Sequence, residues 1–97
     1  MYTLITAANS AKAQQLKSTL GADVILGDYM ALPAFMLKAD LIQLPNPNST
    51  SYAHQMLTLC LDKNIGKVYA LRDEELSLLQ EAKLLFEEYG IELVDGS

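Results

Sequence analysis

The chain has 97 residues, 51% of them hydrophobic, and its seven basic and twelve acidic side chains leave a formal net charge of −5. That length predicts a single domain over residues 1–97 with one modest core. The acidic balance argues against a nucleic-acid partner, because a phosphate backbone is repelled on average, and no apolar run approaches the roughly 20 residues that cross a bilayer.

The first third of the chain predicts two strands with a helix between them. Residues 2–6 form a short apolar run with β-branched residues, which is typical of a buried strand. Apolar positions then recur at helical spacing, with Asn9 or Ser10 able to cap the helix and Gly21 able to end it. Residues 23–26 predict a second buried strand.

The middle of the chain contains its least regular stretch. Pro33 suits the first turn of a short helix over 34–37, and residues 41–44 predict a third strand that Pro45 stops. The connection from 29 to 37 is unusually apolar. It either covers one face of the sheet or forms an exposed partner-binding patch, and both alternatives stay open.

The last half of the chain alternates helix and strand. A polar turn over 45–51 opens a helix that runs to about Asn64 and carries an apolar face. Residues 68–71 predict the fourth strand. Residues 73–89 form the clearest helical stripe, and residues 91–94 predict the fifth strand.

This alternation predicts an α/β fold with three layers, in which a five-stranded parallel sheet lies between two layers of helices. Right-handed crossovers then give a Rossmann-like sheet with the strand order 3-2-1-4-5. In such sheets ligands bind at the carboxyl ends of the strands, near the point where the strand order reverses. We therefore expect any ligand site in the loops that follow the strands.

The loop after the first strand contains Thr6, Asn9 and Ser10, and no glycine. A dinucleotide fingerprint needs glycines there, and the alanines of this loop fit its size requirement but not a positive φ angle. The helix amides can hold one anion with help from Asn9 or Ser10, or these residues only cap the helix. Asp28 lies twenty positions after Ala8, where such folds place a ribose-binding acid, although acids are also common in turns.

Two further loops carry polar candidates. Asn48 and Ser49 can contact a polar ligand, or they only build a turn and a helix cap. Arg72 follows the fourth strand and precedes three acids at 73–75, which suit the positive end of a helix. Arg72 can hold a ligand carboxylate or pair with one of these acids, and we favour the internal pair.

No motif predicts a catalytic residue, a metal site or a cofactor. His54 has no second histidine or cysteine near it in sequence to complete a metal set. Cys60 lies on an apolar helix face, which is typical of a core residue. A single cysteine excludes an intrachain disulfide, and the N-terminus lacks the pattern of a secretion signal, so we expect a cytoplasmic protein.

Four stretches, at 4–10, 23–28, 57–71 and 81–94, together resemble the N-terminal domain that precedes the ATP-grasp fold in ligases such as the large chain of carbamoyl-phosphate synthase. The resemblance implies a Rossmann-like domain that packs beside the catalytic part and helps to bind substrate. It also implies that ATP and magnesium are held by other domains, which have no counterpart in these 97 residues.

Three functions remain open on this basis. The first is a non-catalytic binding or interaction module. The second is a subunit of a split ATP-grasp ligase, with substrate contacts from Asn9, Ser10 and Arg72. The third is a small nucleotide-binding protein that uses the loop after the first strand and Asp28. The expected partners are an ATP-grasp protein or a second copy of the chain bound through 29–37, and a small polar ligand.

Overall fold

The computed structural model describes residues 1–8, 10–21, 23–30, 33, 35, 37 and 41–95. Its strands and helices are, in chain order, β1 (Tyr2–Ile5), α1 (Ala11–Leu20), β2 (Val24–Asp28), β3 (Leu41–Gln43), α2 (Tyr52–Asp62), β4 (Ile65–Ala70), α3 (Asp73–Glu81), α4 (Lys83–Glu88) and β5 (Glu92–Asp95). The strands form one parallel sheet in the order β3-β2-β1-β4-β5. The predicted Rossmann-like α/β fold and its strand order are therefore confirmed.

The strand boundaries differ from the sequence prediction where pairing extends a strand beyond its apolar run. β4 begins at Ile65 rather than at 68, because Ile65 already pairs with Tyr2, and the register shifts before the next pair. β2 continues to Asp28, which pairs with Gln43 of β3. Asp28 is therefore the last residue of a strand rather than part of a turn, and this fixes the direction of its side chain.

The single helix predicted over 73–89 is two helices, α3 and α4, separated at Ala82. The Ala82 N–H donates to the carbonyl of Leu79, three residues back, which is the tight closure that ends many helices. The Ala82 carbonyl then accepts from Phe86 and begins α4. No helix within the described ranges is long and apolar enough to cross a membrane.

The short helix predicted over 34–37 includes Ala34 and Met36, which lie outside the described residues, as does the candidate site residue Asn9.

The core lies on both faces of the sheet, because alternate residues of each strand point in opposite directions. On one face Leu4 packs in a cluster with Met56 of α2 and Phe86 of α4. On the other face Ile5 packs in a smaller cluster with Ala13 of α1. Helices thus cover both faces, which explains why the central strands are almost wholly apolar.

Gly27 in β2 allows the chain that follows β3 to pass close to the sheet. A Cβ atom at Gly27 would lie 2.7 Å from Cγ and Cδ2 of Leu44, a buried residue of the larger core cluster. We therefore expect Gly27→Ala to lower the free energy of unfolding by about 1–3 kcal/mol, as overpacking of a core does. Urea unfolding monitored by circular dichroism measures the change.

The matched control is the same substitution in a chain that also carries Leu44→Ala, which removes the atoms that the new methyl group would meet. Leu44→Ala alone should cost about 2–5 kcal/mol because it leaves a cavity. The double variant should be more stable than the sum of the two single losses predicts. Strictly additive losses would show that the Gly27–Leu44 contact does not limit this position.

Candidate functional site

The candidate site is a group of five side chains at the carboxyl edge of the sheet, which we call the carboxyl-edge cluster: Asp28, Tyr29, Tyr52, Arg72 and Glu75. Asp28 ends β2, whereas Arg72 follows β4 and immediately precedes α3. β2 and β4 are not neighbours in the sheet, because β1 lies between them. The cluster therefore bridges the crevice at the point where the strand order reverses, which is where such sheets bind ligands.

The strongest contact in the cluster joins Asp28 to Arg72. Nη2 of Arg72 lies 3.1 Å from both carboxylate oxygens of Asp28. The Asp28 side chain is fully buried, and its Oδ1 also accepts from the backbone N–H of Met30 at 3.2 Å. The Arg72 side chain is 28% exposed, so this ion pair has one buried and one partly solvated partner.

Glu75 brings a second buried carboxyl group to the same guanidinium. Its Oε1 lies 3.7 Å from Nε of Arg72, which is an ion-pair distance but too long for a hydrogen bond. Both of these atoms are buried without a hydrogen-bond partner. The other oxygen of Glu75, Oε2, accepts from the hydroxyl of the buried Tyr52 at 3.1 Å. The predicted internal pair of Arg72 with an acid of 73–75 is thus present, with Asp28 as an additional partner.

Tyr29 covers the outer side of the Arg72 guanidinium. The Arg72 Cζ atom lies 5.0 Å from the centre of the Tyr29 ring, within the range of a cation–π contact. The Tyr29 hydroxyl donates to Oε1 of Glu74 at 2.9 Å. This hydrogen bond is the largest of the effects that raise the pKa of Tyr29 above its ordinary value.

Burial governs the ionisation of the two innermost groups of the cluster. Loss of hydration raises the pKa of Glu75 to about 7, against the opposing effects of the Tyr52 hydrogen bond and the Arg72 charge. Burial and the neighbouring Glu75 also raise the pKa of Tyr52 far above its ordinary value. Glu75 therefore changes its charge near neutral pH, while Tyr52 stays protonated.

Thr6 and Ser10 have local structural partners in the loop after β1. Thr6 is fully buried, and its Oγ1 accepts from the backbone N–H of Leu71 at 2.9 Å, which ties the end of β1 to the end of β4. The Ser10 hydroxyl accepts from the N–H of Ala13 at 3.1 Å. Ser10 is thus the N-cap of α1, one of the two roles that its position predicts.

The backbone of this loop corrects one expectation from the sequence. Ala7 has a φ of 55°, so an alanine does supply the positive φ angle, at a cost of roughly 1–2 kcal/mol. The Ala8 N–H donates to the carbonyl of Gly27 at 3.1 Å, and the Ser10 N–H donates to the carbonyl of Ala7 at 2.9 Å. Two of the amides that would surround an anion are therefore already bonded within the protein.

Asn48 and Ser49 contribute to the turn that precedes α2. The Asn48 N–H donates to Oδ1 of Asn46 at 2.8 Å, and the Ser49 hydroxyl accepts from the N–H of Ser51 at 3.2 Å. Ser49 also lines an open groove of about 500 Å³ between the end of β3 and α2, together with Pro45 and other residues. Ser49 therefore borders this groove, Asn48 belongs to the turn beside it, and neither residue is a member of the carboxyl-edge cluster.

The two residues considered for metal or nucleophile chemistry lie on opposite sides of α2. His54 is exposed, whereas Cys60 is fully buried in the larger core cluster. Burial raises the pKa of the Cys60 thiol to about 12, so it is protonated at neutral pH. Among the residues that the structure describes, no three His, Cys, Asp or Glu side chains are placed to hold a metal ion.

Sequence reasoning named Asp28 and Arg72 but missed Tyr29, Tyr52 and Glu75 as members of one cluster. The sequence predicted that Arg72 pairs with one of the three acids at 73–75 but left open which one, and Glu75 is the acid that lies 3.7 Å from Nε. Its position three residues after Arg72 is the signal for a contact on one helix face. Tyr52 lies four residues before the buried Met56, a spacing that places its ring on the buried face of α2.

The fold and the cluster at the carboxyl edge of the sheet define a class of protein. A parallel sheet in the order 3-2-1-4-5, with polar side chains gathered where the order reverses, is a Rossmann-like α/β domain. Over residues 4–94 the chain matches the family described as "PylC-like, N-terminal domain", and it belongs to that family. This is a family of pre-ATP-grasp N-terminal domains, which confirms the resemblance seen in the sequence.

A solved structure shares the fold at low sequence identity. The chain is similar to L-threonine 3-dehydrogenase from Trypanosoma brucei, with a TM-score of 0.50 and 16% identity. The match covers 90% of this chain and 30% of the dehydrogenase, so the chain spans less than a third of that protein. At this identity the likeness shows the fold alone. No curated protein sequence matches the chain.

Removing the Arg72 charge should destabilise the fold strongly, because it leaves the buried Asp28 without its main partner. We expect Arg72→Met to lower the free energy of unfolding by about 3–5 kcal/mol. The matched control is Lys83→Met, which removes an exposed helix-surface pair with Glu87 at 3.8 Å and should cost at most about 0.5 kcal/mol. Denaturant unfolding of both variants tests this, and similar losses would contradict the structural role of Arg72.

Glu75 should make the folded state less stable as the pH rises from about 4.5 to about 7. In the unfolded chain Glu75 ionises near its ordinary value of 4.5, whereas the folded chain holds the proton to about 7. Between these values the folded state binds more protons, so rising pH favours unfolding. Urea unfolding across this range should show the fall, and Glu75→Gln should remove that part of it.

The control for this measurement is Glu88→Gln, which alters an exposed carboxyl group on α4 and should keep the wild-type dependence on pH. If Glu75→Gln and the wild type have parallel stability curves, Glu75 ionises in the folded chain at its ordinary value.

Proposed function

We propose that this chain is a non-catalytic module that docks against the catalytic part of an ATP-grasp ligase and presents its carboxyl edge to the ligase substrate. Membership of a pre-ATP-grasp family supports the association with a ligase. The observation that carries the proposal further is a set of three exposed apolar side chains after β2. Phe35 is 87% exposed, and Met30 and Leu37 are also exposed.

The exposure of these side chains supports one of the two alternatives for the connection after β2. Side chains that cover a sheet face are buried, whereas Met30, Phe35 and Leu37 present apolar surface to solvent. Neighbouring exposed apolar residues mark interaction surfaces more often than single ones do, and these three lie within eight positions of the sequence. Met30 also lies beside the carboxyl-edge cluster, since its backbone N–H donates to Asp28 and its sulfur lies 3.7 Å from Nη2 of Arg72.

The carboxyl-edge cluster supports binding rather than chemistry at this edge. Asp28 and Arg72 neutralise each other, and the hydroxyls of Tyr29 and Tyr52 already donate to carboxyl groups. A small polar ligand of the ligase would contact the exposed part of Arg72, with Ser10 on the neighbouring loop. Catalysis and nucleotide binding would then belong to the ATP-grasp part of the enzyme.

A nucleotide site in this chain has less support from the geometry. The Asp28 carboxylate is fully buried and already has two partners, so a ribose hydroxyl would have to displace Arg72 or Met30 from it. The loop after β1 has neither the glycines of the dinucleotide fingerprint nor a free amide at Ala8. We therefore expect no heat of binding with nucleotides in calorimetry of the isolated chain.

The docking surface is tested by Phe35→Asp, with Leu84→Asp as the matched control. Leu84 is 76% exposed and lies on α4, which contacts β5 at the opposite edge of the sheet from β3. The partner for this test is a purified ATP-grasp protein from the same organism, and the proposal predicts that its gene lies next to the gene of this chain. Loss of a buried aromatic contact costs about 1.5–3 kcal/mol, so Phe35→Asp should weaken the complex at least about tenfold.

Sedimentation of the mixed proteins measures this, and the Leu84→Asp variant should bind like the wild type. Failure of the wild-type chain to form a complex would contradict the proposed role. So would a dimer of the chain alone that Phe35→Asp dissociates, since it would assign the surface to a second copy. Turnover of ATP by the isolated chain would contradict its non-catalytic character.

A further inference from the structure

The carboxyl-edge cluster contains two buried carboxyl groups but only one guanidinium. Asp28 and Glu75 are both fully buried, and Arg72 is the cation that contacts each of them. With Glu75 protonated the charges of Asp28 and Arg72 cancel. With Glu75 ionised one negative charge is left without compensation in a poorly solvated place, which is costly unless the cluster rearranges.

The two carboxyl groups face different nitrogen atoms on the same edge of the guanidinium group. Nε and Nη2 of an arginine project hydrogens from the same side of the planar group, and together they can bind a single carboxylate through two parallel hydrogen bonds. In this structure Nη2 is bonded to Asp28, while Nε is buried without a hydrogen bond, 3.7 Å from Oε1 of Glu75. A small movement of Arg72 would let Glu75 accept from both nitrogens.

We infer that Glu75 acts as a proton-controlled latch on Arg72. When Glu75 is protonated, the Arg72 guanidinium stays bound to Asp28. When Glu75 releases its proton to solvent, its carboxylate draws Nε and Nη2 to itself, and Asp28 then depends on the N–H of Met30. The latch thus couples pH to the end of β2, which the three exposed apolar side chains follow, and it does not rest on the proposed function.

The charged and titratable groups that face Glu75 come from every element around the cluster. Arg72 immediately precedes α3 and Glu74 lies in its first turn, while Tyr52 begins α2. Asp28 ends β2, and Tyr29 directly follows it. Burial, Asp28 and Glu74 raise the pKa of Glu75, while Tyr52 and Arg72 lower it, and the net value of about 7 places the change near neutrality.

Nuclear magnetic resonance of the labelled full chain tests the latch directly. The wild type is titrated from about pH 5.5 to about pH 8.5, around the neutral transition, with observation of the Glu75 carboxyl carbon, the Arg72 Nε–H and the Met30 amide. We expect the chemical shifts of all three signals to change with the same midpoint, near pH 7. Both protons should move downfield, because Nε–H gains a hydrogen bond and the Met30 N–H faces a less neutralised carboxylate.

Two variants separate the latch from a general effect of pH. Glu75→Gln should abolish the shared midpoint of the Arg72 and Met30 signals. Glu74→Gln should keep one midpoint for both signals but move it to lower pH, because Glu74 raises the pKa of Glu75. The wild-type titration is decisive even if a variant is unstable. A Met30 amide that stays constant while Glu75 titrates would overturn the latch, as would titration of Glu75 in the ordinary range of a glutamate.

Discussion

The contact between Arg72 and Asp28 holds together the carboxyl edge of this domain. The two residues extend from β4 and β2, which are separated by β1, so their ion pair crosses the crevice that the reversal of strand order creates. Thr6, at the end of β1, adds a hydrogen bond to the backbone of Leu71 beneath it. A gap that parallel sheets ordinarily leave for a ligand is thereby bridged by the protein's own side chains.

This internal bridge occupies the position at which sheets of this architecture bind dinucleotides. Here the acid at the end of β2 neutralises an arginine, and amides of the loop after β1 bond to Gly27 and Ala7. The family to which the chain belongs and the exposed side chains of Met30, Phe35 and Leu37 support the accessory role beside a ligase that we propose.

Much of the fold was predictable because it depends on local patterns. Apolar runs located all five strands, and their continuous apolar character predicted a parallel sheet covered on both faces. Right-handed crossovers allow the order 3-2-1-4-5 among others, and the structure has this order. The start of β4 at Ile65 and the break at Ala82 were not predictable, because strand pairing and a single tight hydrogen bond decide them. The site was predictable in part: Asp28 and Arg72 stand at strand ends, whereas the contribution of Tyr52 depends on how α2 packs against α3.

The sequence by itself determined the class of fold, the edge of the sheet where polar groups collect, and the membership of the family. These properties follow from residue spacing, which acts through the short-range geometry of strands, helices and turns. Only the tertiary structure decided that the guanidinium of Arg72 lies within ion-pair distance of two buried carboxyl groups. These groups belong to Asp28 and Glu75, which are 47 positions apart in the chain. The burial of an ionisable group depends on which distant residues pack around it and exclude water. Its charge balance depends on which charged residues the fold places beside it, so both are properties of the packed molecule.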